Sequence, residues 1–105
     1  MATRSAESVN DMLEKKIERR LVDGVKKRGG MCLKFVSPST PGVPDRIIIT
    51  KTGRVIFAEL KTETGRLSKI QQYVTGQMMR RKADVRILYG VSAVDELLAE
   101  LEVTT

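Results

Sequence analysis

Ile47, Ile48 and Ile49 are three consecutive β-branched apolar residues, and they constrain the architecture more tightly than anything else in the chain. A strand points successive side chains to opposite faces, so a run that is apolar at every position has to be covered on both sides. The segment from Asp45 to Thr50 therefore reads as a central strand. The turn Lys51-Thr52-Gly53 follows, and Arg54 to Lys61 reads as the next strand. The flanking sequence supplies what a layered fold needs. From about Ser8 to Arg28, Leu13, Ile17, Leu21 and Val25 recur every fourth residue among charges, the pattern of an amphipathic helix, and Gly29-Gly30 ends it. Residues 1–7 read as a frayed start. Met31 to Val36 reads as a short strand and Ser37 to Gly42 as a loop. After a polar loop at Thr62–Arg66, the spacing predicts a helix over Ser68–Lys82 with Ile70, Val74 and Met78 inward. A strand at Val85–Tyr89 and a helix at Ser92–Glu102, opened by the capping pattern Ser92-x-x-Asp95, complete the chain. The order αβββαβα is an α/β fold, a mixed four-stranded sheet flanked by helices, and 105 residues favour one domain.

Charge narrows the partners. The formal net charge is +6 and the pI about 9.8. It is unevenly placed: residues 1–82 carry 18 Lys and Arg against eight Asp and Glu, and residues 83–105 carry one against five. A basic body with an acidic C-terminal helix suits a polyanionic partner on one face. There is one cysteine, Cys32, and no histidine. That excludes an intrachain disulfide, His or Cys zinc sites and His-dependent nucleophilic triads. Cys32 lies in an apolar run and reads as core filler. No apolar run approaches the length of a membrane span and the N-terminus is polar, so the expectation is a soluble, cytoplasmic protein with no membrane partner.

The chemistry-bearing residues fall on the hairpin. Glu59 and Lys61 share a face of their strand. With a three-residue loop at 51–53, Thr50 pairs with Arg54, Ile47 with Phe57, and Asp45 with Glu59. Opposed residues on one face have Cβ atoms about 4.5–5.5 Å apart, and two carboxylates that close repel unless a cation lies between them. A four-residue loop would instead set Asp45 against Ala58. Mg²⁺ prefers oxygen ligands and retains several waters, so two carboxylates and a substrate phosphate suit it. Such an ion polarises a phosphodiester and lowers the pKa of a bound water, and Lys61 is placed to orient that water or offset charge developing on phosphorus. The bland alternative, a polar strand end, sits poorly with Val55 and Phe57, apolar residues on the face that Glu59 and Lys61 continue.

The ordered series Gly42-Val43-Pro44-Asp45-Arg46, hairpin, Ala58-Glu59-Leu60-Lys61 resembles the PD-(D/E)XK nuclease superfamily. The flanks resemble its virus-type replication-repair nuclease (VRR-NUC) family: Glu14-x-x-Ile17, Gly29-Gly30 before a strand carrying Lys34, the loop ending in Asp45-Arg46, and the stretch from Glu59 to Gln71. The similarity spans roughly residues 14–90. It implies a restriction-endonuclease-like core, dependence on Mg²⁺ or Mn²⁺, and phosphodiester hydrolysis in DNA. Stand-alone members of this size resemble enzymes that act as homodimers on branched DNA such as four-way (Holliday) junctions. Glu14 and Glu18 flank the first helix's apolar stripe equally, and periodicity does not choose between them; the family pattern selects Glu14 as a further acid and metal ligand. Gln71 completes a capping box with Ser68, and the resemblance also places it at the catalytic site. The resemblance puts Lys34 near the site too.

The catalytic set expected is thus Asp45, Glu59, Lys61, Glu14 and Gln71, with the three acids as metal ligands. Arg46, Arg66 and Lys69, with Lys34, are the expected DNA contacts, since cations around such a site neutralise phosphates without reading bases. Phe35, Phe57, Tyr73 and Tyr89 are expected in the core, which disfavours a base-stacking platform. The rival expectations are a non-catalytic nucleic-acid-binding module with the same fold, and a nuclease for linear duplex or flap DNA.

Overall fold

The computed structural model describes the backbone of residues 6–104 and the side chains of residues 9–103. In chain order its elements are α1 (Ala6–Lys27), β1 (Met31–Lys34), β2 (Arg46–Ile49), β3 (Val55–Lys61), α2 (Lys69–Arg80), β4 (Val85–Tyr89) and α3 (Gly90–Thr104). The expected irregular start falls mainly on residues 1–5, outside the described residues.

The strands form one sheet in the order β1-β2-β3-β4. β1, β2 and β3 run antiparallel in sequence. β4 lies parallel to β3, with α2 as the crossover. The triple-isoleucine strand is therefore interior, and the αβββαβα mixed sheet flanked by helices is the observed architecture. The three-residue hairpin loop is also observed. Ile47 pairs with Phe57 and Ile49 with Val55, the Thr50 N–H donates to the Arg54 carbonyl at 2.9 Å, and Gly53 takes φ of 91° at the turn.

Alternation divides the sheet's side chains between two layers. Ile48, Ile56 and Ala58 point to one face and are wholly buried. They join Ile17, Leu21 and Val25 of α1, Leu88 of β4, and Val94, Leu97, Leu98 and Leu101 of α3 in one core. Burying each Leu, Ile or Val contributes about 1.5–3 kcal/mol, so this layer is the main source of stability. α1 and α3 approach closely at Gly24, where a Cβ would come within 2.4 Å of Leu98 Cδ1. Leu13, at the N-terminal end of the same stripe, is 46 % exposed and stays outside this core.

The opposite face of the sheet carries Phe57 and, by register, Asp45 and Glu59, and it is covered by α2. Phe35 and Phe57 meet there with ring centroids 5.9 Å apart, beside Val74 and Met78 of α2. Two expectations change here. Ile70 is 47 % exposed rather than inward; its backbone and Cγ1 instead form the wall against which Gly42 rests. The last helix begins at Gly90, not Ser92. Asp95 is no cap partner: its carboxylate takes two hydrogen bonds from Arg20 of α1, at 2.7 and 2.9 Å.

Candidate active site

Three loops and strand ends converge on the α2 side of the sheet. Pro44, fully buried, delivers the chain to Asp45, and the Phe35 N–H donates to the Asp45 carbonyl at 2.8 Å, extending the β1–β2 ladder by one step. Arg46 pairs with Ala58, so Asp45 falls opposite Glu59. Pro44 fixes its own φ and biases Val43 to extended backbone, so the chain enters β2 already extended. Gly42 makes the approach possible. Its φ is 95°, and a Cβ there would lie 2.8 Å from the Ile70 carbonyl oxygen, so the loop presses directly on the first turn of α2.

Glu59 is 5 % exposed. Burial pushes its carboxyl up to about 7, and the facing charge of Asp45 adds to the rise; Lys61 and the Asp45 backbone N–H work against it. Asp45 is also raised, first by burial and then by Glu18, with Arg46 opposing. Its Oδ1 is fully buried and has no hydrogen-bond partner. Lys61 Nζ stands 3.7 Å from Glu59 Oε2. A buried Glu59 whose ionisation Asp45 hinders, and a half-buried Asp45 with an orphaned oxygen, form an all-oxygen donor pair with an amine beside it.

Gln71 holds two posts at once. Its Oε1 accepts from the Ser68 N–H at 2.9 Å, and its own N–H donates to Ser68 Oγ at 3.2 Å, the reciprocal capping box. Its Nε2 donates to Glu59 Oε2 at 3.4 Å. The amide that starts α2 therefore also touches the buried acid.

Glu14 does not join them. It is exposed on α1, which packs on the opposite side of the sheet, and among the described residues no three acidic, His or Cys side chains gather as a preformed metal cage. The helix acid that comes into electrostatic reach of Asp45 is Glu18, and it is paired with Arg46. This corrects the expectation for Arg46 as well: its side chain is 12 % exposed and committed to Glu18, so it is no free phosphate contact. Alternation along β2 explains both, because residues 45 and 46 point to opposite faces. Lys34, Arg66 and Lys69 are exposed, as a phosphate contact requires. Tyr73 and Tyr89 are 65 % and 41 % exposed, not core. Cys32 packs against the core, and its thiol is pushed up to about 11 by burial, which makes it inert.

No protein-family model matches the chain. A solved structure described as a VRR_NUC domain superposes with a TM-score of 0.77, covering 82 % of this chain and 94 % of that one at 23 % identity. The chain has the VRR-NUC fold. A curated phage protein, "Putative nuclease p44" of Acyrthosiphon pisum secondary endosymbiont phage 1, is 50 % identical over 48 residues. The match takes in 46 % of this chain and about half, 52 %, of that relative's length. Among the described residues of this VRR-NUC fold, no helix is long and apolar enough to cross a membrane.

Proposed function

We propose that the chain is a divalent-metal-dependent endodeoxyribonuclease of the VRR-NUC family that hydrolyses phosphodiesters in branched DNA, such as four-way junctions, as a homodimer. The observation that carries this is the buried, unpartnered Oδ1 of Asp45 opposite a Glu59 whose carboxyl sits near 7, with Lys61 at its side.

The donor chemistry fits Mg²⁺ or Mn²⁺, hard cations that take carboxylate and water oxygens. Asp45 and Glu59 would hold the ion. Of the two helix acids, Glu18 is paired with Arg46 and Glu14 is exposed on α1, on the other side of the sheet, so neither joins the pair. When bound, the ion supplies Lewis-acid polarisation of the phosphate and a more acidic water. The residues do the rest. Lys61 places a positive charge where negative charge develops on the phosphate oxygens. Gln71 fixes the rotamer of Glu59 from one side, and the hairpin register fixes the spacing of the two acids. Arg66 and Lys69 lead phosphates toward the site, while Lys34 pairs with Arg46 across β1 and β2 and so lies on the opposite face.

The dimer is supported by the α2 face. A groove of about 470 Å³ runs there between Phe35, Phe57, Tyr73 and Val74, and Val55 and Tyr73 leave apolar surface open beside it. Two sites related by a two-fold axis suit paired incisions. Sedimentation as a monomer at micromolar concentration would remove this part of the proposal.

The test is cleavage of fluorescent four-way junction, flap and linear duplex side by side in Mg²⁺ or Mn²⁺. Wild type cuts the junction best. Asp45→Asn and Lys61→Ala lose cleavage by at least about 10³-fold while binding is retained. Binding without cleavage by wild type in either metal would refute the nuclease and leave a DNA-binding module.

A further inference from the structure

The geometry points to a second DNA-arm site on the outer surface of α1, in the groove it forms with α3; its ligand is identified as DNA on the strength of the nuclease reading above. The groove measures about 670 Å³ and is lined by six cations and two acids. A basic helix packed against an acidic one should neutralise itself. Here it does not, because the pairing is selective. Arg20 of α1 covers Asp95 at 2.7 Å, and Arg28 covers Glu102 at 2.8 Å. Glu100 of α3 turns away to Arg86 at 2.7 Å, and Glu96 lies on another surface beside Val85 and Leu97. Lys15, Lys16, Arg19 and Lys27 are left in the groove with no ion-pair partner among the described residues, against Asp23 alone. They span thirteen residues of helix, about 18 Å over twelve steps of 1.5 Å, a length that reaches several successive phosphates on one strand.

This groove is on the far side of the sheet from Asp45 and Glu59, since α1 and α3 pack on Ile48, Ile56 and Ala58 and the acids face α2. A straight duplex laid across the acids cannot also lie along α1, and duplex DNA is stiff over this length. A branched substrate reaches both faces by sending one arm to each. The groove therefore favours branched over linear DNA without reading any base.

The test is binding of a fluorescent four-way junction, and of a linear duplex with the same arm sequence, to the full chain in EDTA between 50 and 200 mM salt. The comparison is wild type against Lys15→Gln/Lys16→Gln/Arg19→Gln/Lys27→Gln. All four sites are exposed and glutamine is a good helix former, so the fold stays intact. If each cation covers one phosphate, the junction's log–log salt slope falls by about 3.6. That is a difference of about 150-fold in how much affinity wild type and variant lose over the fourfold salt range. Mg²⁺-dependent nicking of the linear duplex stays unchanged, and the duplex's binding slope falls less than the junction's, because a straight duplex occupies one face or the other but not both. A charge-conserving variant, Lys15→Arg/Lys16→Arg/Arg19→Lys/Lys27→Arg, restores the junction slope. An unchanged junction slope, or an equal fall on both DNAs, overturns the arm site. A larger fall on the junction than on the duplex, with a wild-type protein that cuts neither DNA, supports the groove and sinks the nuclease reading instead.

Discussion

The raised carboxyl of Glu59 has a thermodynamic consequence that needs no substrate. An unfolded glutamate titrates near 4.5, and Glu59 in the fold near 7. Between those values the unfolded chain has released a proton that the native protein still holds. Stability therefore falls as pH rises through this window, and the contribution from Glu59 is fully present below 4.5. At about 1.36 kcal/mol per pH unit the loss is about 3 kcal/mol, applied without a solvent discount because the side chain is 6 % exposed. The assay is urea unfolding in EDTA at pH 4.5 and pH 7.5, for wild type and Glu59→Gln. The difference between the two proteins should change by about 3 kcal/mol across the window, which at an m-value of about 1–1.5 kcal/mol/M moves the midpoint by about 2–3 M. Glu59→Gln is the flatter of the two. Adding Mg²⁺ at pH 7.5 should raise wild type and leave Glu59→Gln little changed, because an ion held by both carboxylates binds only the native state. Parallel pH dependences for the two proteins would refute the idea that Glu59 sits in an enforced, proton-retaining position opposite Asp45.

Gln71 can be divided into its two roles. Gln71→Glu keeps a capping-box partner for Ser68 and so holds the melting temperature, but sets a second negative charge against Glu59 and lowers cleavage at neutral pH. Gln71→Ala removes both and additionally costs about 1 kcal/mol by urea unfolding. Gly42→Ala is expected to cost about 2 kcal/mol or more, from its positive φ and the 2.8 Å approach to the Ile70 carbonyl, and to lower cleavage by shifting Asp45, read by unfolding and nicking assays together. Glu14→Gln should leave both metal-dependent cleavage and stability unchanged, read by nicking and unfolding assays. Glu18→Gln should mainly destabilise, by about 1–2 kcal/mol, because it strips the buried Arg46 of its partner, read by urea midpoint.

Much of the fold was legible because it rests on local rules. Three isoleucines in a row require cover on both sides, so strand identity follows from spacing, while the Asp45–Glu59 opposition holds only for the three-residue loop, the one of two lengths that the structure shows. The capping box at Ser68 and Gln71 is equally local. What escaped reading depends on partners far away in sequence. Asp95 reads as a cap residue until Arg20, 75 positions earlier, takes its carboxylate. Tyr73 adjoins the apolar stripe of α2 and reads as core, but it is 65 % exposed. Arg46 is the instructive miss. Alternation already places it on the face opposite Asp45, toward α1, and that signal was available before its partner Glu18 was known. That Arg46 pairs with Glu18, and that Glu14 stays outside the site, are likewise tertiary facts.

One amide serves as both the first rung of a helix and a steadying hand on a reactive acid. Anything that tugs on the start of α2, including a backbone docked on Lys69 or Arg66, is thereby transmitted to Glu59 with no intervening loop to absorb it. On the proposed function, the hold on a strand at that helix end would be felt one hydrogen bond later, at the acid beside which a strand would be severed.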